Sequence, residues 1–246
     1  MKKIAMGFVA LASLIAVPAR AADIPVKYVA PPQFFSWTGC YAGVHVGAGW
    51  EVSSWASSPA EASGVGAVGG VQAGCNVQWR QFVIGLEGEF WGSGLYDRDF
   101  FDDPGNFRSD VISRNRWDGT FAARAGVAFD RAFIYGKVGV AVGKFDYSSD
   151  RAFFPGSETI RGSATIAGVL IGVGFEYALT DNWTTKFEYD YIDFGNKIVD
   201  FTDTSCNGIG VCTTTTFSST QKERKQLAKI GVNYKFGYDS PVIAKY

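Results

Sequence analysis

The 246-residue sequence predicts an all-β fold, an eight-stranded antiparallel up-and-down transmembrane β-barrel. Three observations carry this reading. Eight segments alternate with period two between an apolar face and a face of glycine, polar and charged residues, the pattern of a half-buried strand. The links between them alternate short and long, as in a barrel with tight turns at one rim and long loops at the other. Aromatic residues gather at the segment ends. Trp79, Phe82, Phe129, Tyr177 and Trp183 lie beside short links, and Trp50, Phe90, Trp117 and Tyr191 beside long ones. Two such girdles are what a bilayer-spanning barrel needs at its interfaces.

The elements follow in order. In residues 37–50, Cys40, Ala42, Val44, Val46 and Ala48 oppose Tyr41, His45 and four glycines. In 67–79, Val71, Ala73, Cys75 and Val77 oppose Gln72, Asn76 and Gln78. In 82–96, Phe82, Ile84, Leu86 and Phe90 oppose Glu87 and Glu89. In 117–129, Phe121, Ala123, Ala125 and Val127 oppose Asp118, Thr120 and Arg124. In 132–145, Ile134, Val138, Val140 and Val142 oppose Tyr135 and Lys137. In 165–177, Val169, Ile171, Val173 and Phe175 oppose Glu176 and three glycines. In 183–194, Phe187, Tyr189 and Tyr191 oppose Lys186, Glu188 and Asp190. In 226–236, Ala228, Ile230, Val232 and Tyr234 oppose Lys229, Asn233 and Lys235.

The links at 80–81, 130–131 and 178–182 are short, and those at 51–66, 97–116, 146–163 and 195–225 are long and polar. A lipocalin-type barrel would turn its apolar face inward and its charges outward. Here one face is continuously apolar while the other carries paired charges, so the apolar face belongs to lipid. The first residues, "MKKIAMGFVALASLIAVPARAAD", combine Lys2 and Lys3, an apolar core and Ala19-Arg20-Ala21, which predicts a cleaved signal peptide over residues 1–21. Residues 22–36 are Pro-rich and aperiodic and predict an extended periplasmic tail, leaving 37–246 for the barrel with four long external loops. Downstream of the leader no apolar run approaches the roughly 18 residues of a membrane helix. The charge balance, 23 Lys+Arg against 24 Asp+Glu, gives no reason to expect nucleic acid as a partner.

The segments "WTGCYAGVHVGAGW", "GGVQAGCNVQW", "FVIGLEGEF", "FAARAGVAFDRAFIYGKVGVAVG", "GVGFEYALTDNWTTKFEYDYIDFG", "IGVNYKF" and the terminal "PVIAKY" resemble the small outer-membrane β-barrel proteins of alphaproteobacteria. That porin-like surface-antigen family is related in architecture to the OmpA transmembrane domain. "NWTTKFEYDYIDFG" is the most specific piece, and Cys40 and Cys75 depart from the aromatic or apolar residues usual there. The resemblance implies the outer membrane of a Gram-negative bacterium, surface exposure and antigenicity. It also implies that the aromatic C-terminal residue, Tyr246, serves the barrel-assembly machinery, although Pro241 argues against a strand continuing that far.

The inward face concentrates the charges. Glu87, Glu89, Glu188 and Asp190 fall at heights similar to Arg124, Lys137, Lys186 and Lys229. An eight-stranded barrel has an interior just wide enough for side chains to fill it, so these residues predict a charge-paired plug. A glycosidase-like pair in Glu87 and Glu89 would need a cleft to admit a sugar. His45, the lone histidine, reads as an interior group, and a protein-built zinc site is not expected around it. "GVGAVG" at 64–69 has dinucleotide-loop spacing but neither the preceding strand nor the following helix. Asn182-Trp183-Thr184 is a glycosylation sequon confined to a tight turn.

Cys206 and Cys212 bracket "NGIGV" in the longest loop and predict a loop-closing disulfide in an oxidising compartment. Cys40 and Cys75 stand at matching heights on the outward face of adjacent strands, as candidates for a cross-strand bridge. The alternative is four free thiols. Arg114, Arg116, Arg161, Lys222, Arg224 and Lys225 cluster toward the external rim as candidates for lipopolysaccharide phosphates, or as a solvated loop face. No catalytic, cofactor-binding or metal-ligating set emerges, and nothing in the pattern sets an oligomeric state. The expected function is structural and surface-related, with outer-membrane lipid and lipopolysaccharide as partners. The alternatives are a porin for small solutes and, further off, a lipid-modifying enzyme built on His45.

Overall fold

The computed structural model describes residues 34–55, 61–103, 107–153 and 155–236. The expected signal peptide, most of the tail and the C-terminal Pro241 and Tyr246 lie outside the described residues. Among the described residues nine strands run in chain order: β1 (Gly39–Trp55), β2 (Glu61–Trp79), β3 (Phe82–Ser93), β4 (Tyr96–Asp103), β5 (Phe107–Phe129), β6 (Ala132–Phe153), β7 (Gly156–Ala178), β8 (Trp183–Cys206) and β9 (Cys212–Phe236). Each neighbouring pair is antiparallel, and β1 pairs with β9 from Cys40↔Phe236 to Trp55↔Gln221, which closes the sheet on itself. β3 and β4 both pair with β5 and form one stave broken at Gly94-Leu95, so the barrel has eight staves, as the alternation requires.

The break has local causes. Leu95 turns into the interior while the Gly94 N–H donates to the Ala67 carbonyl at 2.9 Å. The short turns begin with Arg80 and Asp130, both at positive φ (55° and 51°), the left-handed start that suits a tight hairpin to the twist of its strands.

Strands reach further than alternation suggested. The segments expected as long loops are mostly β-hairpin, leaving between β8 and β9 only residues 207–211. The reason is physical. Above the bilayer both faces of a strand meet water, so apolar–polar alternation fades although the ladder continues, as in the exposed "TTTTFSS" of β9.

The outer face carries the apolar set to the surface: Val46, Ile84, Val138 and Ile171 are all more than half exposed. The residues just before them, His45, Val83, Lys137 and Leu170, are buried. The β7–β8 ladder is interrupted between Gly162 and Val169, and bulges interrupt β5 at Asn115/Trp117 and β8 at Asp193/Gly195. Where the bulge turns β8, Gly195 takes φ +64°.

At the lower rim the structure departs from the expected tail. Phe35 and Trp37 fold under the barrel and are buried against Val83, Ala128, Phe133, Tyr135 and Ala178. Asp130 holds them: the Phe35 N–H donates to its carboxylate at 2.9 Å, and the Trp37 indole N–H to its carbonyl at 3.0 Å. Trp37 therefore belongs to a lower plug, and β1 begins only at Gly39.

Candidate functional site

Because β-strands alternate faces, β3, β5, β6, β8 and β9 each deliver charged side chains to the same height inside the barrel. There Lys137 Nζ lies 2.7 Å from Glu89, 2.7 Å from Glu188 and 3.2 Å from Glu87. Lys186 Nζ lies 2.9 Å from Glu89 and 3.2 Å from Glu87. Lys229 Nζ is 2.7 Å from Glu89, 2.8 Å from Glu188 and 2.7 Å from Asp190. Asp190 is close but poorly aligned, since neither of its oxygens makes a hydrogen bond. Arg124 Nη1 lies 3.5 Å from Glu87 and 3.0 Å from Glu176. All eight residues placed in the plug by alternation thus meet in one buried layer.

Glu176 extends that layer, although sequence reasoning left it outside the network. It accepts from Arg124, Thr184 and, at 2.9 Å, Asn233. Its position on the inward face of β7 was the available signal. Tyr41 and Tyr135 complete the layer by donating to Glu87 at 2.7 Å and Glu188 at 2.8 Å. Buried charges persist where partners and hydrogen bonds replace water, and here nearly every carboxylate oxygen has both. Carboxylate oxygens of Glu87, Glu89 and Glu188 lie within 4.8 Å of one another, a spacing a metal would accept. Three lysine ammonium groups fill that position. Glycines make the room: a Cβ on Gly172 would strike Asp190, and one on Gly174 would strike the Tyr135 ring.

Two apolar layers sandwich the charges. Below lies the Phe35–Trp37–Phe133 plug, joined to the ions by Arg124, whose Cζ sits 5.5 Å from the Phe133 ring and 4.6 Å from that of Tyr41. Above, Trp91, Phe145, Leu170, Ile192, Phe194 and Leu227 form a packed cap. Lys229 Nζ reaches to 5.0 Å from the Trp91 ring, and Phe145 and Phe194 meet edge to face at 5.3 Å. His45 is wedged between these layers, its Nδ1 bonded to Gln72 and its ring edge-on to Trp91 at 5.9 Å.

The rim cations divide. Arg114, Arg116, Arg161 and Arg224 are exposed and Lys222 is half-buried on the outer face. Arg116 pairs with Asp146, Arg161 Nη2 with Asp150 at 3.1 Å, and Arg224 lies 3.8 Å from Asp193. Lys225 is a correction. It is fully buried inside the barrel, with its Nζ at 2.8 and 2.9 Å from the two Asp118 oxygens, and cannot meet an external phosphate. The cause is strand period two: in β9, Arg224 and Lys225 must face opposite sides, and reading the stretch as loop removed that constraint.

Cys40 and Cys75 are disulfide-bonded on the outward face, where the register sets them directly opposite. Cys206 and Cys212 are bonded across the last β8–β9 pair.

A closed antiparallel barrel with an apolar exterior, a charged waist and no free sheet edge within the spanning region defines a small outer-membrane β-barrel. The chain belongs to the outer membrane protein beta-barrel domain family, whose model matches residues 8–236. A 31 kDa outer-membrane immunogenic protein of Brucella melitensis is 31% identical, over 92% of this chain and 97% of that one. A 22 kDa outer membrane protein of Rhizobium leguminosarum is 32% identical, over 73% of this chain and 72% of its own length. Among solved structures, the outer membrane protease OmpT of Escherichia coli overlays with a TM-score of 0.47 at 9% identity, covering 84% of this chain and 99% of that one. OprG of Pseudomonas aeruginosa gives 0.46 at 14%, covering 83% and 99%. Overlays this loose carry no argument about activity. The protein's place is the outer membrane of a Gram-negative bacterium, with a structural and surface role.

Proposed function

We propose that this protein is a closed, non-enzymatic structural barrel that holds no open path for solutes and offers its external hairpins to the surroundings. The observation that carries the reading is the filling of the interior at three successive levels: the Trp37–Phe133 plug, the ion layer and the Trp91–Phe194 cap. Phe133, Glu188, Lys229 and Trp91 are each 0–1% exposed. A water path would have to displace all three. The setting of His45 supports the absence of catalysis, because its ring is enclosed by Gln72 and Trp91 rather than open to the membrane surface. Antigenicity is carried over from the relatives' names, and the length of the exposed hairpins supports it.

For lipid contact, Arg114, Arg116 and Arg161 line one cleft on the outer wall together with Asp146, Asp200 and Thr202. Guanidinium groups at this height suit the phosphates of lipopolysaccharide. The test is single-channel recording of the refolded full-length protein in planar bilayers. A silent trace over long recordings is the expected result. Steady conductance would overturn the closed barrel and put a solute porin in its place.

A further inference from the structure

The hairpin of β8 and β9 outgrows its neighbour β1. Its upper ladder runs from Asn196↔Lys222 to Cys206↔Cys212 without a register shift, and β7 flanks the top of β8 from Gly162↔Phe201 to Ser157↔Cys206. On the other side β1 leaves β9 at Trp55↔Gln221. From Cys212 to Thr220, β9 is therefore an edge strand among the described residues. Every second residue of such a strand turns its N–H and C=O away from its one partner, toward an unpaired side. Residues Cys212–Ser218 are exposed on both faces as well.

Native proteins blunt edges of this kind with charge, proline, a bulge or short length, because they template pairing with another chain. This edge has none of those. The stretch "CTTTTFSST" holds five threonines, one phenylalanine and no charged residue, glycine or proline. β-branched and aromatic residues are the ones that favour extended strand. The edge is also held ready. Cys206–Cys212 closes its upper end, the Thr204 and Thr214 hydroxyls meet at 3.3 Å, Ser218 donates to Asp200 at 2.6 Å, and Phe217 stacks on Phe201 at 5.5 Å. A partner strand meets it already ordered.

We propose that this edge pairs antiparallel with the same edge of a second copy, and that the second copy sits in a facing membrane. Charge selects the occupant. A strand laid on itself sets like residues side by side, which repels where charges stand opposite, and this stretch has none. A two-fold through Thr216 sets Thr214 against Ser218 and Thr213 against Ser219, hydroxyl pairs that hydrogen-bond across strands. Geometry selects the membrane. Two antiparallel copies of one strand are related by an axis perpendicular to their sheet. The sheet here continues the barrel wall, so that axis lies in the membrane plane and inverts the second barrel. Copies in one membrane are related by an axis along its normal, which leaves both β9 strands descending and cannot set them antiparallel. Such a short edge buries less than the roughly 1,000 Å² that a lasting soluble interface needs, so single contacts are weak and act in numbers between two surfaces. The inference rests on the outward placement of the hairpins but not on the sealing of the barrel, so conductance and pairing fail separately.

The test is clustering of phospholipid vesicles that carry the refolded full-length protein, read by light scattering in buffer containing a chelator. Wild-type vesicles should cluster, more so at higher protein density, while protein-free vesicles stay dispersed. Thr216→Lys and Thr216→Glu each set like charges opposite at the two-fold and should reduce clustering on the order of tenfold. Mixing the two populations should restore it. Ser157→Lys and Ser157→Glu, at the top of β7 between two laddered neighbours, should cluster as the wild type does. Dispersed wild-type vesicles would overturn the proposal without recourse to a variant, as would undiminished clustering by Thr216→Lys alone. A mixture that fails to recover would sink self-pairing and point to another partner surface. Copies that cross-link within one vesicle yet never join two would overturn the facing arrangement.

Discussion

The ion layer at the waist and the aromatic cap above it fill the same barrel by opposite means. In the waist, Lys229 touches three carboxylates and each of Glu87, Glu89 and Glu188 touches at least two cations. In the cap, Trp91, Phe194 and Leu227 contribute shape and apolar area, and charge meets it at its margins, with Lys229 Nζ 5.0 Å from the Trp91 ring and Lys225 Nζ 4.3 Å from that of Phe145. The difference teaches that closing the barrel and stabilising it are separable. Ions in a low-dielectric interior tolerate no missing partner, because a charge left alone pays its full desolvation cost. An apolar layer loses stability in proportion to the volume removed, and the structure around it stays electrically whole. The waist therefore dominates the energetic response to mutation, while sealing is shared by all three levels.

The largest expected effect is at Lys229. Lys229→Met keeps the length of the side chain but takes a shared cation from Glu89, Glu188 and Asp190, and should cost about 3–5 kcal/mol. Urea unfolding of the refolded barrel in phospholipid vesicles would record it as a lower midpoint. Lys225→Met removes the partner of one carboxylate, Asp118, and should cost less. Equal losses would break the distinction between a network and a single pair.

A smaller stability effect, but a sharper test of sealing, comes from the cap. Phe194→Ala should cost about 3 kcal/mol. With Trp91→Ala added it should still leave bilayers silent, because the ions beneath remain. Glu87, Glu89, Glu188 and Asp190 changed together to Gln should be silent too, since the cap and the lower plug stay in place. Conductance is expected only when both levels are altered in one chain. Steady current from the four-Gln variant alone would show that charge by itself closes the barrel.

The same alternation explains what was legible in the sequence. Period two turned Glu87 and Glu89 inward, and with them the ion layer. Carried two residues further it also turns Trp91 inward, and on β6 it carries Lys137 up to Phe145. The cap was therefore present in the pattern, but an aromatic near a strand end is a girdle residue only when it lies on the outer face. Lys225 went astray where strand was mistaken for loop. Phe35 and Trp37 had no periodic signal at all. Their burial depends on Asp130 and Phe133, nearly a hundred residues away in the chain, and on a barrel bottom that exists only once the sheet has closed. The buried Glu51 and Glu223 were missed for the same reason as Lys225: both fell in segments read as loop, where period two was not applied.

The smallest effect is expected at the tip of the β8–β9 hairpin, and it separates the barrel from what stands above it. The Cys206–Cys212 bond closes a very short loop, with a sequence separation of 6, for which chain entropy assigns about 2 kcal/mol. The turn is also held without it. Asn207 accepts from the Ile209 and Val211 N–H groups at 3.2 and 2.9 Å, and its own N–H donates to Val211 at 2.9 Å. Above Gln221, β9 has β8 as its ladder partner among the described residues, because the pairing with β1 stops at Trp55. Loosening the tip should therefore not propagate into the closed sheet. Replacing both cysteines by Ser should leave the urea midpoint of the barrel unchanged and raise the rate of protease cleavage within residues 207–211. The bond between Cys40 and Cys75 is the internal control: it joins β1, laddered on both sides, to β2 at the lower rim, where both strands are already fixed. A fall in the global midpoint on losing the tip disulfide would mean that the hairpin and the barrel unfold as one unit, and that the external crown contributes to the stability assigned here to the waist.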